Sequence, residues 1–241
     1  MTNSIKEIDL EGLETLSVIE KADRFNEWMY KTIAPHCEGK IIEIGSGIGN
    51  ISQFFIADKK EIVLSDLRDN YCEILKRKFE NPVIKIDLVD PDFDQKHTEL
   101  LDTFDALFAL NVVEHIKDDV QAIANCKKLL KVGGTMIILV PAFQSLYNNF
   151  DVELEHFRRY TQKSLKSIIV QNGLKAKHLF SFNLIGILGW FVSGRILKKK
   201  TIPEGQMGLF NLLVPIFKLA DFVTFKKIGL SVICVAKKEH S

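Results

Sequence analysis

Lys40 to Asn50 reads K-I-I-E-I-G-S-G-I-G-N: a short apolar run, an acid, then three glycines at alternate positions. Ile41, Ile42 and Ile44 suit a strand buried on both faces, as in a parallel sheet. Gly45, Gly47 and Gly49 let the backbone turn sharply and approach a ligand with no Cβ in the way. The stretch predicts a strand, a tight turn and a helix from about Asn50. By itself such a turn is a hint of a nucleotide site, and plain structural turns share it.

The acids around the turn sharpen the reading. A dinucleotide site uses G-x-G-x-x-G and places a pyrophosphate on the helix N-terminus. Here the third glycine comes one residue early and Glu43 stands just before the first, where a carboxylate repels pyrophosphate. A ligand with positive charge fits better, and S-adenosylmethionine carries both an ammonium and a sulfonium group. The next strand, Glu61 to Ser65, ends at Asp66, placed to take both ribose hydroxyls of an adenosine. A third strand, Val83 to Ile86, ends at Asp87, so three acids at successive strand ends would line one crevice.

With these residues in view the sequence resembles the class I S-adenosylmethionine-dependent methyltransferases. The resemblance runs from about Gly39 to Leu174, through E-I-G-S-G-I-G, Asp66, F-D-A-L-F-A-L-N-V-V-E-H-I from Phe104 to Ile116, and L-L-K-V-G-G-T-M-I-I-L-V-P from Leu129 to Pro141. It implies an α/β, Rossmann-like fold with a seven-stranded sheet of order 3-2-1-4-5-7-6, strand 7 antiparallel. It also implies a cofactor set of Glu43, Gly45, Ser46, Gly47, Gly49, Asp66, Leu67, Asp87, Leu88 and Asn111, with Asn111 bordering the methionine portion. Glu114 and His115 would follow close to the transferable methyl, His115 either as a base or as a support for its loop.

Composition bounds the rest. A chain of 241 residues, 46% hydrophobic, is large enough for one domain with a full core plus an insertion. We expect a single domain: a helix over 15–35, a core over 39–183 and 229–238, and an apolar helical insertion over 184–228. The net charge of +1, with basic and acidic residues interspersed, disfavours nucleic acid as a partner. Cys37, Cys72, Cys126 and Cys234 form no C-x-x-C pair, which argues for reduced thiols in a cytoplasmic protein. The opening residues lack the pattern of a signal peptide, and residues 1 to about 14 read as poorly ordered.

Along the chain, Val18 to Ile33 shows apolar residues at helical spacing, predicting one helix from about Ser17 to Ala34. In the family this helix often lies over the cofactor, so Trp28 and Tyr30 either touch it or pack in the core. Ile51–Ala57 and Asp69–Phe79 read as crossover helices, and Asp90 to Asp102 as a loop with solvated acids. Asp118-Asp119 opens a helix to Leu130, closed by Gly133-Gly134 before a strand Thr135–Val140. A loop from Ala142 to Tyr160 carries D-V-E-L-E-H-F-R-R-Y-T. Glu153, Glu155 and His156 lack a recognised ligand spacing, so no metal is expected there. Thr161 caps a helix Gln162–Gln171, and Lys175–Phe182 and Gly229–Ala236 read as the last two strands.

Between them lie two apolar stretches, Leu179–Gly194 and Met207–Phe225, the second interrupted by Pro215, with Arg195 and Lys198 to Lys200 between. The first is too short for a membrane span, holds three glycines and Asn183, and is partly needed for the strand. The insertion suits a lid, a dimer contact or a membrane surface contact. The expected activity is methyl transfer from S-adenosylmethionine to a small or lipid- or saccharide-linked acceptor. His115, His156 and Tyr160 are the candidate bases, and Arg158 and Arg159 the candidate grip for an anionic substrate, one facing the pocket and the other paired with a loop acid. H-x-R-R-Y-T resembles a segment in a subset of the family found among genes for lipid and surface-polysaccharide synthesis. The competing readings are a nicotinamide-dependent oxidoreductase and a non-catalytic module that binds a partner or membrane.

Overall fold

The computed structural model describes residues 10–197, 199 and 204–240. The strands are β1 (Ile41–Ile44), β2 (Ile62–Asp66), β3 (Val83–Lys85), β4 (Phe104–Leu110), β5 (Leu130–Pro141), β6 (Lys175–Phe182) and β7 (Ser231–Lys237). They form one sheet in the order β3-β2-β1-β4-β5-β7-β6. β1 to β5 are parallel, whereas β7 runs antiparallel to both of its neighbours. All four residues of β1 are buried, because helices cover both faces of the sheet.

The helices are α1 (Leu10–Glu20), α2 (Asp23–Ile33), α3 (Ser52–Ala57), α4 (Asp69–Lys78), α5 (Phe93–Lys96), α6 (Asp119–Leu129), α7 (Asn149–Glu153), α8 (Gln162–Gln171), α9 (Gly186–Trp190) and α10 (Glu204–Val223). α2 and α10 supply Trp28, Ile33, Val214 and Phe217 to the core on one face, around Phe55 and Phe108. α6 and α8 supply Ile123, Leu129, Leu165 and Ile169 to the other. Asp118 caps α6 by accepting from the Gln121 N–H, and Thr161 caps α8 by accepting from the Ser164 N–H.

Several sequence expectations are corrected. The helix expected over 17–34 is two helices broken at Lys21-Ala22, because its apolar residues serve two partners. Val18 and Ala22 pack with Met207 of α10, while Trp28, Tyr30 and Ile33 face the sheet. Residues 10–14, expected to be poorly ordered, belong to α1; residues 1–9 lie outside the described residues. Gly133-Gly134 does not close α6, which ends at Leu129. The pair lies in an irregularity of β5, where Phe104 pairs with Leu130 but Ala106 already pairs with Thr135.

The 90–102 segment is partly helical, since Phe93 and Leu100 are drawn into the core while Asp90 and Asp94 pair with Lys96 and Lys128. Pro215 does not interrupt α10, which continues through it as one helix with the proline exposed. The 142–160 segment is likewise not all loop, as it contains α7. Lys198 and Lys200 of the basic run lie outside the described residues.

Candidate active site

The carboxyl ends of β1, β2 and β4 lie side by side at one edge of the sheet. The turn after β1 holds Gly45 and Gly47 at φ 71° and 56°. A Cβ on Gly45 would come within 2.4 Å of Val112 Cγ2, so the turn needs glycine both for its conformation and for the approach of the segment after β4. Glu43 and Asp66 lie at neighbouring strand ends, both buried. Asp66 accepts hydrogen bonds from the Gly47 N–H at 2.9 Å and the Arg68 N–H at 3.0 Å, which aim its carboxylate across the turn. Burial raises the Asp66 pKa above the usual carboxylate range, against these N–H bonds.

Burial also pushes Glu43 up to about 7, although it accepts a hydrogen bond from the Ser52 hydroxyl. Ser46 ties the turn to β2 through its N–H to the Ser65 carbonyl. Leu67 is partly buried beside Asp66. Asp87 accepts from the Val89 N–H, Leu88 enters the core, and Asn111 stands exposed at φ 55° at the end of β4. The cofactor residues expected from the sequence therefore lie along the same edge of the sheet, while Leu16 of α1 covers Gly47. Trp28 and Tyr30 are core residues: Trp28 packs on Phe182 at 4.3 Å, and the Tyr30 hydroxyl bonds Asp58.

Beyond Val112 a short helical turn, Val113–His115, presents Glu114 and His115. The His115 ring meets that of His156 edge to face, 4.6 Å between centroids. His156 is brought there by α7: its Nδ1 lies 2.7 Å from Asp151 Oδ1, and Asp151 is fully buried. Arg159 donates to both Asp151 oxygens, at 2.9 and 3.1 Å, and through Nε to the Ala142 carbonyl. The Trp190 ring of α9 covers the same guanidinium at 5.0 Å. Burial raises the Asp151 pKa, but the His156 hydrogen bond and the Arg159 charge outweigh it and hold the group low. Burial, followed by the neighbouring His156 and Arg68, drives the His115 pKa well down and leaves the imidazole neutral at physiological pH.

The structure sorts the expected base and substrate residues. Tyr160 is removed as a candidate base: its hydroxyl donates to Asp119 at 2.8 Å, and burial raises its pKa far above any working range. Arg159 is removed as a substrate grip, since its nitrogens are bound inside the fold. Arg158 is nearer the surface, on Asp119 at 2.7 Å and on the Lys117 carbonyl at 2.6 Å. Glu114, not counted among the site residues from sequence, is wholly buried beside the two histidines. Its signal was present in the adjacent Glu-His pair directly after β4.

A family model described as a methyltransferase domain matches residues 42–136, from within β1 to within β5. An uncharacterized 37.1 kDa protein in transposon TN4556 of Streptomyces fradiae is 24% identical over 174 residues, covering 69% of this chain and 48% of that protein. The ubiquinone biosynthesis O-methyltransferase of Aliivibrio fischeri is 22% identical over 95 residues, covering 39% of this chain and 41% of that enzyme. The chain thus spans less than half the length of these curated relatives. Among solved structures, a SAM-dependent methyltransferase from Archaeoglobus fulgidus aligns with a TM-score of 0.59 at 17% identity, over 88% of this chain and 94% of that one. A putative sarcosine dimethylglycine methyltransferase from Galdieria sulphuraria aligns with a TM-score of 0.60 at 14% identity, over 90% and 86%. The match across β1 to β5 is to a methyltransferase domain, and the sheet has the Rossmann-like architecture of these solved S-adenosylmethionine-dependent methyltransferases, to which the chain is similar in fold.

Proposed function

We propose that this protein is an S-adenosylmethionine-dependent methyltransferase. The observation that carries the reading is the pair of buried carboxylates, Glu43 and Asp66, on either side of the glycine turn. Asp66, oriented by two backbone N–H groups, has acceptor capacity left for the ribose hydroxyls, and the Glu43 side suits the cationic end of the cofactor. Transfer would be in-line. A nucleophilic atom of the acceptor attacks the sulfonium methyl, the carbon–sulfur electron pair stays on sulfur, and S-adenosylhomocysteine leaves. Alignment of the two reactants is the main task of such a protein, worth roughly 7 to 11 kcal/mol in well-oriented systems. His115 and His156, whose rings meet edge to face, are the side chains we assign to the acceptor's nucleophilic atom.

Mass spectrometry of the purified protein for bound S-adenosylmethionine or S-adenosylhomocysteine tests the cofactor. A labelled-methyl assay against fractionated cell extract then identifies the acceptor class. Binding of a nicotinamide cofactor instead would favour the oxidoreductase reading. S-adenosylmethionine binding without transfer to any fraction would favour the non-catalytic module.

The acceptor is lipid-linked in this reading, because α10 carries an apolar stripe to solvent. Leu209, Leu212, Ile216, Leu219 and Val223 recur at three- and four-residue spacing, each about 60% exposed. Lys226 and Lys227 are exposed just past its end, and Arg195 stands on the other arm of the insertion. An apolar stripe with basic residues beside it fits the anionic head groups of a membrane surface. No helix among the described residues is long and apolar enough to cross a membrane. Co-sedimentation with anionic vesicles should capture the protein, and Leu212→Glu together with Leu219→Glu should release it. A chain that ignores vesicles but self-associates through this stripe would make α10 a contact between copies.

A further inference from the structure

We infer that Glu114, His115 and His156 form a binding site for one divalent transition-metal ion of the zinc class. One ligand atom from each of the three lies within 4.8 Å of the others. Ligands about 2.1 Å from a tetrahedral ion stand roughly 3.4 Å apart, so small rotations of the side chains close the set.

Two independent features point to a cation. Glu114 is fully buried, and neither of its carboxylate oxygens finds a hydrogen-bond partner on another residue. A buried carboxylate is costly unless a proton or a cation compensates it. His156 is oriented as metal-bound histidines are: Nδ1 is on Asp151, which leaves the Nε2 lone pair for an ion. Asp151 is itself fixed by Arg159 and by the Asn148 N–H at 3.0 Å, so the support of the ligand is in place without the ion. His115 completes the set with its ring edge to face against that of His156.

Two imidazoles and one carboxylate favour zinc, cobalt or nickel over magnesium or calcium, whose ligands are oxygens. Three protein ligands leave a tetrahedral ion one open position. In the methyltransferase reading, on which this role rests, that position takes an acceptor hydroxyl. The ion lowers the hydroxyl pKa, its proton passes to solvent, and the oxygen pair forms the new bond to the methyl carbon as the carbon–sulfur bond breaks. Metal binding itself does not depend on that role.

Cobalt is the probe, since its visible absorption reports tetrahedral coordination. The full chain, stripped with chelator and titrated with Co²⁺, should bind one ion with tetrahedral-type absorption, and Zn²⁺ should displace it. Glu114→Gln keeps the shape of the buried side chain, and His115→Ala removes a partly exposed one. Each should weaken Co²⁺ binding by at least about tenfold, with S-adenosylmethionine affinity unchanged, while His178→Ala serves as the unaffected control. If the parent binds no stoichiometric Co²⁺ or Zn²⁺, or if Glu114→Gln binds as the parent does, the site is overturned. Cofactor affinity measured on the same samples separates the two readings: metal without S-adenosylmethionine sinks the methyltransferase, and S-adenosylmethionine without metal sinks the ion.

Discussion

Asp66 and Asp151 are both buried acids, and the fold treats them in opposite ways. Asp66 accepts from the Gly47 and Arg68 backbone N–H groups, and burial outweighs these bonds and the Arg68 charge, so its pKa is raised. Asp151 receives Arg159 and His156, and its pKa is lowered. The first acid is held in position with capacity to spare, which is the condition of a group that meets a ligand. The second is already neutralised, which is the condition of a group that holds other groups still. Burial and chemical type alone therefore do not tell a binding carboxylate from a supporting one; the partners do.

The largest effect that tests this contrast is on the supporting side. Arg159→Ala leaves Asp151 buried without its cation and should destabilise the fold by roughly 3–5 kcal/mol. Urea unfolding measures it, and a loss under 1 kcal/mol would mean Asp151 is not the anchor described. On the binding side, Glu43 has a folded pKa of about 7 against a usual 4.5. A raised acid stabilises the fold where it is protonated, below the unfolded value, and that contribution is lost as pH rises from about 4.5 to about 7. Glu43→Gln should flatten the pH slope of stability in that window relative to the parent, by about 3 kcal/mol in total. Identical slopes would place Glu43 in an ordinary environment.

Asp66→Ala should leave the fold intact and weaken S-adenosylmethionine by at least about tenfold, since each lost charge-assisted hydrogen bond costs on the order of 1.5–3 kcal/mol. Calorimetry decides, and an unchanged affinity removes Asp66 from the ribose. The smallest effect belongs to Arg158, whose pair with Asp119 is partly solvated. Arg158→Ala should cost less than about 1 kcal/mol of stability. A loss as large as that of Arg159→Ala would erase the distinction between the two arginines.

The glycine turn, Glu43 and Asp66 were legible because their meaning is local: strand, turn and acid follow one another within a few residues. The break between α1 and α2 was not, since Val18 and Trp28 share one helical period but serve different neighbours, α10 and the sheet. Arg158 and Arg159 show the same limit. The sequence predicted that neighbours in an extended loop point to different sides and that one would pair with a loop acid; Arg159 does so with Asp151. It did not predict that Arg158 would meet Asp119, 39 positions earlier. Tyr160 was misread as a base for the same reason, because its partner Asp119 comes from α6.

Apolar periodicity, strand-end acids and glycine spacing determined the strands, the glycine turn and the acids that follow them, and the family resemblance these carry implied the order of the sheet. These signals are set by backbone conformation and by neighbours close in sequence. Which buried charges are spent and which are free was decided only by tertiary structure. Glu114, His115 and His156 come from segments more than 40 residues apart, and Asp151, Arg159 and Trp190 from a loop and an insertion that meet only on folding. A charge is neutralised by whatever lies within a few ångströms, and that distance is fixed by packing, not by order along the chain.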